Sequence, residues 1–367
     1  MLENFIKDHI AVSSLESPAH ANRKDPKILS ITWFIGKRCN YDCSYCAPWV
    51  HDNYSSHIKK DKIFYSIDQI QNFASFCNKE FKISITGGEP FVHPNFIEIL
   101  KYIKLQNKLT QLSVVTNGSL PLHTYIESTK YLTNLTVSLH LEQSLSVIES
   151  TVQKILDLNR IKNIFLNVNL MMLPGKLNLV KDLIQTFDNN KVKFVLRKID
   201  PPNINFKNNT ITKGDIKKIN EANKNFIENK IQQKKENIEN LDEKHLSYYS
   251  KQELKFLENY KNPLQWNNIK LHLKEKTVEV NTDEIKAKNL NSWKNWHCYV
   301  GIDSLYIQHT GEIFRGNCME GKSIGKIGEK INWPTSPIIC PVKYCTCNSD
   351  MVIRKVKNIE MKNYIDE

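Results

Sequence analysis

From residue 28 to about residue 200 the chain alternates two hydrophobic rhythms. Short runs rich in β-branched and aromatic residues, at 30–35, 82–86, 112–116, 135–139, 165–171 and 193–199, have the length and composition of buried strands. Between them, at 67–77, 95–105, 145–158 and 177–187, apolar side chains recur every three or four residues, as on helices with one buried face. Strands alternating with helices predict an α/β fold of parallel strands and helical crossovers. Six such units suit a partial (β/α)6 barrel or an open doubly wound sheet, and the hydrophobic pattern alone leaves both open.

The pattern changes on either side of this unit. Residues 1–28 are polar and punctuated by Pro18 and Pro26, which predicts an irregular lead-in. Pro201 and Pro202 close the α/β unit, taken as 29–205. Residues 206–265 are poor in aromatics and dense in Lys, Asn, Glu and Gln. Their apolar spacing at Ile219, Phe226, Ile227, Ile231 and Ile238 predicts a mixed-charge helical insert over 216–238. The period then shortens. Residues 269–273 and 277–280 read as a hairpin across 274–276, and 305–308 and 312–315 as a second, turned by His309, Thr310 and Gly311. Residues 266–348 thus form a small α+β extension, and 349–367 a basic C-terminal helix from Met351 onward. There is no internal repeat.

A chain of 367 residues can bury a large core and carry such an extension. No apolar run has membrane-spanning length, and the start lacks a secretory signal pattern. Nine cysteines in such a chain point to thiolate metal chemistry in a reducing compartment, so the expected location is cytoplasmic and the partners do not include a membrane. The net charge of +12 is compatible with phosphorylated substrates, nucleic acid or an acidic electron-donor protein, and equally with lysine-rich solvated helix faces. No basic block is interleaved with aromatics, so a nucleic-acid partner lacks positive support; RNA modification would predict salt-sensitive tRNA binding.

The chemistry concentrates in the loop after the first strand, where Cys39, Cys43 and Cys46 stand at a C-x3-C-x2-C spacing. Three thiols so spaced can converge on one metal centre and leave a coordination position open. A structural zinc loop would want paired C-x2-C knuckles and a fourth ligand. Gly87-Gly88-Glu89-Pro90 follows the second strand, and its glycines let backbone pass close to a ligand. The cysteine loop, with Tyr45 before its third thiol, and this Gly-Gly-Glu-Pro turn resemble the radical SAM (S-adenosylmethionine) enzymes.

The resemblance decides for a partial (β/α)6 radical SAM barrel. It implies that the three thiolates hold a [4Fe–4S] cluster whose fourth iron chelates S-adenosylmethionine, and that carbonyls of Gly87, Gly88, Glu89 and Pro90 meet the methionine ammonium. Thr116 and Asn117, ending the third strand, are implied for the ribose or carboxylate. Tyr45, Ser138, His140, Asn169 and Arg197 are further implied cofactor contacts, with Asn167 beside them and Arg197 the candidate for a carboxylate or substrate anion. Each also reads as a satisfied polar residue of a barrel interior. A flavodoxin- or ferredoxin-type donor would supply the electron that cleaves the cofactor to a 5′-deoxyadenosyl radical, which removes hydrogen from substrate.

A second group, Cys298, Cys318, Cys340, Cys345 and Cys347, resembles the extensions of SPASM and shortened twitch radical SAM proteins, which implies an auxiliary [4Fe–4S] cluster. Five cysteines fall short of the seven of SPASM, so a twitch-like extension fits better. Gly316 stands where that pattern expects a cysteine, so Cys318 must serve, and five thiols compete for at most four positions. A zinc site, a cluster with one open iron that binds substrate, and a fully ligated electron relay all stay open. Cys77 lies on an amphipathic stretch and reads as core packing; His51, His57 and His93 carry no assignment. The 321–328 segment resembles a phosphate loop but lacks its spacing.

The resemblance therefore implies an oxidoreductase- or epimerase-type enzyme. The expected substrate is a small molecule or carbohydrate, dehydrogenated or epimerised, because residues 1–28 are too short for a leader-peptide module. Maturation of a ribosomal peptide or protein is the alternative. A non-catalytic iron–sulfur or zinc protein on the same scaffold is a third class, against which the intact cysteine triad and Gly-Gly-Glu-Pro turn argue.

Overall fold

The computed structural model describes residues 10–12, 27–46, 50–199, 249–260, 268–272, 277–287 and 291–356. Six strands, β2 (Ile28–Phe34), β3 (Glu80–Thr86), β4 (Leu109–Thr116), β5 (Asn134–His140), β6 (Phe165–Met172) and β7 (Phe194–Lys198), run parallel in chain order. The crossovers are α1 (Lys60–Phe76), α2 (Phe96–Lys104), α3 (Leu122–Ser128), α4 (Leu145–Leu158) and α5 (Leu177–Asn189). This is the expected partial barrel. Each strand alternates because its faces differ. Leu29, Ile31 and Trp33, with Phe81, Ile83 and Ile85 beside them, are buried in the core that the helices cover. The intervening positions, such as Ser30, Thr32, Ser84, Ser113, Thr136 and Ser138, face a polar interior.

The sixth helix comes from an unexpected place. Within the expected insert of 206–265, α6 (Lys251–Asn259) packs on the barrel, with Leu254, Phe256 and Leu257 against its core. Ser250 and Glu253 form a capping box at its start, and Glu253 Oε1 also accepts from Gly175 N at 2.6 Å. Just before it, the buried Tyr249 hydroxyl donates to Met172 O at 2.7 Å and accepts from Ile199 N at 2.8 Å, tying the ends of β6 and β7. The expected helix over 216–238 and the Pro201–Pro202 boundary lie outside the described residues.

Beyond the barrel follow β8 (Asn268–His272), β9 (Thr277–Asn281), α7 (Thr282–Ala287), β10 (His297–Cys298), β11 (Ser304–Ile307), β12 (Glu312–Phe314), β13 (Gly325–Lys326), β14 (Ile338–Ile339), α8 (Asn348–Met351) and β15 (Lys355–Val356). Both expected hairpins form, β8–β9 and β11–β12, though the turn at 274–276 lies outside the described residues. β11 departs from expectation: it pairs in parallel with β2, Leu305 opposite Ile31, so the extension prolongs the barrel sheet to nine strands. The other strands of the extension make a six-stranded antiparallel sheet in the order β14-β10-β15-β1-β8-β9, where β1 is Ile10–Val12.

Two expectations are corrected here. Part of the expected irregular lead-in is strand β1, since the β-branched Ile10 and Val12 pair with β8; residues 1–9 and 13–26 lie outside the described residues. The expected C-terminal helix is a four-residue turn of helix ending in β15, because Lys355 pairs with Cys298 and Ala11; residues 357–367 lie outside the described residues. The extension also clasps α1. Ser66 accepts from Gly328 N, Gln69 exchanges hydrogen bonds with Glu329 and Ile331, and Phe73 stacks on Trp333 at 4.1 Å. Among the described residues no helix is long and apolar enough to cross a membrane.

Candidate active site

The cysteine loop hangs from the C-terminal end of β2 and is fixed by backbone at both sides. Cys39 N donates to Asp52 O at 2.6 Å, and Asp52 N to Lys37 O at 2.9 Å. The buried Asp52 carboxylate accepts from Ser55 N and Oγ and lies 3.6 Å from Lys37 Nζ. On the other side Gly88 N donates to Gly36 O and Glu89 N to Arg38 O. Here Gly88 has a structural use beside the one expected. A Cβ on Gly88 would lie 2.3 Å from the carbonyl oxygens of Lys37 and Arg38, so the close approach is to the cysteine loop's own backbone.

Cys39, Cys43 and Cys46 line one cavity of about 350 Å³ with Tyr41, Tyr45, Gly87, Gly88, Thr116, Asn117, Ser138 and His140. Asn117 Nδ2 donates to Asn40 Oδ1 at 2.9 Å and reaches Cys39 Sγ at 3.8 Å. Tyr45 and His140 share a 2.5 Å hydrogen bond at Nδ1, and Cys43 Sγ lies 3.6 Å from the same nitrogen. Burial holds His140 down, to about 4, so its imidazole is neutral beside the Tyr45 hydroxyl. Burial also raises the Tyr45 hydroxyl, the Cys39 thiol and, to about 12, the Cys43 thiol. Bare thiols so raised stay protonated until a metal centre binds and displaces the protons.

Four expected contacts stand off the cavity. Glu89 is 2 % exposed and its carboxylate accepts from Thr116 Oγ1 (2.7 Å), Asn117 N (2.6 Å) and Phe91 N (3.0 Å). It ties the end of β3 to the end of β4, and Pro90 beside it starts a 3-10 turn in the core. Burial pushes Glu89 up to about 7 despite its three donors. Asn169 and Arg197 reach the cavity only in relay: Arg197 Nε donates to Asn169 Oδ1 at 3.2 Å, and Asn169 Nδ2 to Ser138 Oγ at 3.4 Å. Thr86, Val115 and Met171 line the cavity without having been expected, as does His51, whose Nε2 is 3.0 Å from Asp42 Oδ1. Thr86 and Met171 end their strands on the inner face, which is the signal that could have found them; His51 carries none. His93 is neutral and structural, bonded to Ile58 O and Asn95 N, with His57 against it. Cys77 caps α1 against the core, as expected.

Deeper in the barrel lies a second cavity of about 240 Å³. Ser30, Thr32, Lys82, Ser84, Gln111 and Asn134 line its walls, and Asn317, Ser349 and Asp350 of the extension form its floor. Val115 lines both cavities, which therefore adjoin at this side chain. Asn134 is 6 % exposed and its Oδ1 has no hydrogen-bond partner; neither has Oδ1 of the buried Asn167 on the neighbouring strand. Both oxygens are also closed to solvent, so each is an unmet acceptor inside the barrel wall.

Below that floor gather the remaining cysteines. Cys340 N donates to Trp296 O, Cys345 N to Asn291 O, and Asp350 accepts from Asn317 N and Cys318 N. A Cβ on Gly316 would lie 2.9 Å from Asp350 Oδ1 and from Val300 Cγ1, so glycine there makes room for the carboxylate that holds Cys318. All nine cysteines are free thiols. Among the described residues no three His, Cys, Asp or Glu side chains are gathered tightly enough for a single metal ion. A zinc ion draws its sulfurs to about 2.3 Å of one point, whereas a four-iron cluster holds them farther apart.

Residues 33–176 match the family model of the radical SAM superfamily, from the end of β2 through the cysteine loop and the Gly-Gly-Glu-Pro turn. These residues are a radical SAM domain. Among solved structures the chain is similar to SuiB of Streptococcus suis (14% identity, TM-score 0.47), covering 84% of this chain and 66% of that one, just under two thirds of its length. It is also similar to anSMEcpe with bound AdoMet (13%, TM-score 0.45, 83% and 79% covered) and to BtrN in complex with AdoMet and 2-DOIA (13%, TM-score 0.34, 83% and 80% covered). A radical SAM domain takes S-adenosylmethionine and a [4Fe–4S] cluster. The residues present fit that pair: three thiols of one loop share a cavity that no other cysteine lines, with room beside them.

Proposed function

We propose that this radical SAM protein is an oxidoreductase- or epimerase-type enzyme acting on a small, hydroxyl-rich substrate such as a carbohydrate or aminocyclitol, with a twitch-like extension that holds an auxiliary [4Fe–4S] cluster. The observation that carries the substrate reading is the deeper cavity. Its volume of about 240 Å³ suits one ring-sized molecule, and hydroxyl and amide side chains such as Ser30, Thr32, Ser84, Gln111 and Asn317 are set among apolar ones in its lining. In this reading Cys39, Cys43 and Cys46 hold the first cluster, and Asn117, Ser138, His140 and the Gly87–Gly88 backbone bound the cofactor. Bound there, cluster and cofactor supply the homolytic chemistry that takes a hydrogen atom from a substrate C–H bond. The chain's own part is placement. Asn134 and its neighbours orient the substrate, the neutral His140 keeps the Tyr45 hydroxyl engaged against Cys43, and the barrel wall excludes water.

Reconstituted without oxygen and given reductant and S-adenosylmethionine, the full chain should release 5′-deoxyadenosine, faster with aminocyclitols or monosaccharides. It should carry roughly eight irons, falling to roughly four when Cys39, Cys43 and Cys46 become Ala. Stimulation by peptides alone would replace the small-molecule reading with peptide maturation. Failure to form 5′-deoxyadenosine under any condition would sink the enzymatic reading.

A further inference from the structure

Lys355 is not needed for the placement just described, yet its side chain is among the most deeply buried in the molecule, at 1 % exposure. Its Nζ meets three backbone carbonyls at once, of Asp350 at 2.5 Å, Ile353 at 2.9 Å and Met351 at 3.2 Å. Three acceptors call for three N–H donors, which only the ammonium form has. The same nitrogen lies 4.8 Å from the centroid of the Trp293 ring. Carbonyls and a ring face solvate a cation, but none of these partners carries a negative charge. A buried cation of this kind is costly unless an anion is set beside it.

What stands beside it is sulfur. Lys355 is directly opposite Cys298 across β10 and β15, and its charge bears on the thiols of Cys340 and Cys345. The buried Asp350 carboxylate feels that charge too, but gives its oxygens to Asn317 N and Cys318 N. Cys298 is the hub of the group: its thiol is close enough to bear on those of Cys318, Cys340 and Cys345. Backbone fixes each of the four, Cys298 in β10 and the others through Asp350, Trp296 and Asn291. Cys347 bears on its chain neighbour Cys345 but is placed differently. Its Sγ is 3.0 Å from Ser349 Oγ, which accepts from Asn317 Nδ2, and both of those residues line the deeper cavity. The Cys347 thiol also bears on Tyr306, which sits opposite Thr32 on the barrel sheet.

Building on the auxiliary-cluster reading, we infer that Cys298, Cys318, Cys340 and Cys345 form a closed four-thiolate centre with Lys355 as its built-in cation, and that Cys347 stands outside it. A closed centre has no open iron for substrate and can only pass electrons. The fixed positive charge favours its reduced, more negative state and so raises its potential.

The full chain with Cys39, Cys43 and Cys46 changed to Ala isolates this centre. After anaerobic reconstitution with iron and sulfide it should hold about four irons. Adding Cys347→Ser should leave that count and the electron paramagnetic resonance spectrum unchanged, while Cys298→Ser or Cys345→Ser should lose the irons or alter the spectrum. Lys355→Met should keep the irons and weaken the reduced state tenfold or more, moving the midpoint about 59 mV or more negative for one electron. Lys355→Arg should restore it. Loss of the irons in Cys347→Ser, or an unmoved potential in Lys355→Met, would overturn the inference. So would loss of the irons in both Lys355 variants, which would make Lys355 a packing residue. A parent carrying no iron at all would instead overturn the auxiliary-cluster reading, and this assignment with it.

Discussion

Glu89 stands at the tightest point of the site, under the backbone that carries the first thiols, and its protonation is coupled to the fold. Its carboxyl goes from an ordinary value of 4.5 in the unfolded chain to about 7 when buried. The folded state therefore binds the proton more tightly, and the stability this provides is full below 4.5 and lost as pH rises through 7. The difference is on the order of 3 kcal/mol. Glu89→Gln should flatten that dependence. It should also lower stability at pH 5 by about 1–3 kcal/mol, because an amide nitrogen cannot accept from Asn117 N. Thermal midpoints of both proteins between pH 5 and 8 check this, and parallel profiles would refute it. The same residues show what the sequence could and could not reveal. The thiols were legible because their spacing is local. Gly-Gly-Glu-Pro was legible as a landmark only: that Gly88 touches Arg38, and that the Glu89 carboxylate holds the end of β4, depends on contacts about fifty and thirty residues away that no short motif encodes.

At the scale of elements, the strands of the barrel and helices α2, α4 and α5 were legible to within a few residues, because one face of each is apolar. Helix α1, by contrast, begins seven residues before the expected stretch, and the short α3 was not singled out. The placement of β11 was not legible. Its parallel partner β2 lies more than 270 residues earlier, and a four-residue strand carries no mark of which edge it will join. For the same reason α6 was taken for insert. The seam that β11 creates is sealed by a buried ion cluster: Asp303 accepts from Lys79 Nζ at 2.5 Å and from Arg354 Nε at 3.1 Å, and the Arg354 guanidinium lies 3.6 Å over the Tyr299 ring. These charges come from the start of β3, the approach to β11 and the approach to β15, so a single carboxylate joins barrel and extension. Asp303→Asn would leave the buried Lys79 and the part-buried Arg354 without this counter-charge, at a cost of about 3–5 kcal/mol. A lowered thermal midpoint, with faster proteolysis of the extension than of the barrel, is the expected result. An unchanged midpoint would mean that the strand pairing alone holds the seam.

Across the whole molecule the two cysteine groups lie at opposite ends of one polar interior, the first at the C-terminal ends of the strands and the second beneath the floor made by Asn317, Ser349 and Asp350. The protein leaves acceptors unsatisfied in that interior, which is a stability cost with no structural return. Asn134 Oδ1 is the clearest case, because the residue lines the deeper cavity and not the upper one. Asn134→Ala removes the orphaned acceptor without overfilling the wall, so stability should hold to within about 1–3 kcal/mol. Cofactor binding, which uses the upper cavity, should be unaltered. Substrate-stimulated turnover should fall about a hundredfold, the scale of one lost and desolvated hydrogen bond to a bound hydroxyl. Three measurements on one variant decide the matter: thermal midpoint, S-adenosylmethionine affinity, and formation of 5′-deoxyadenosine with and without substrate. A destabilised variant would make Asn134 a structural residue. A stable variant with undiminished substrate response would move the substrate out of the barrel and leave the lower cavity to water.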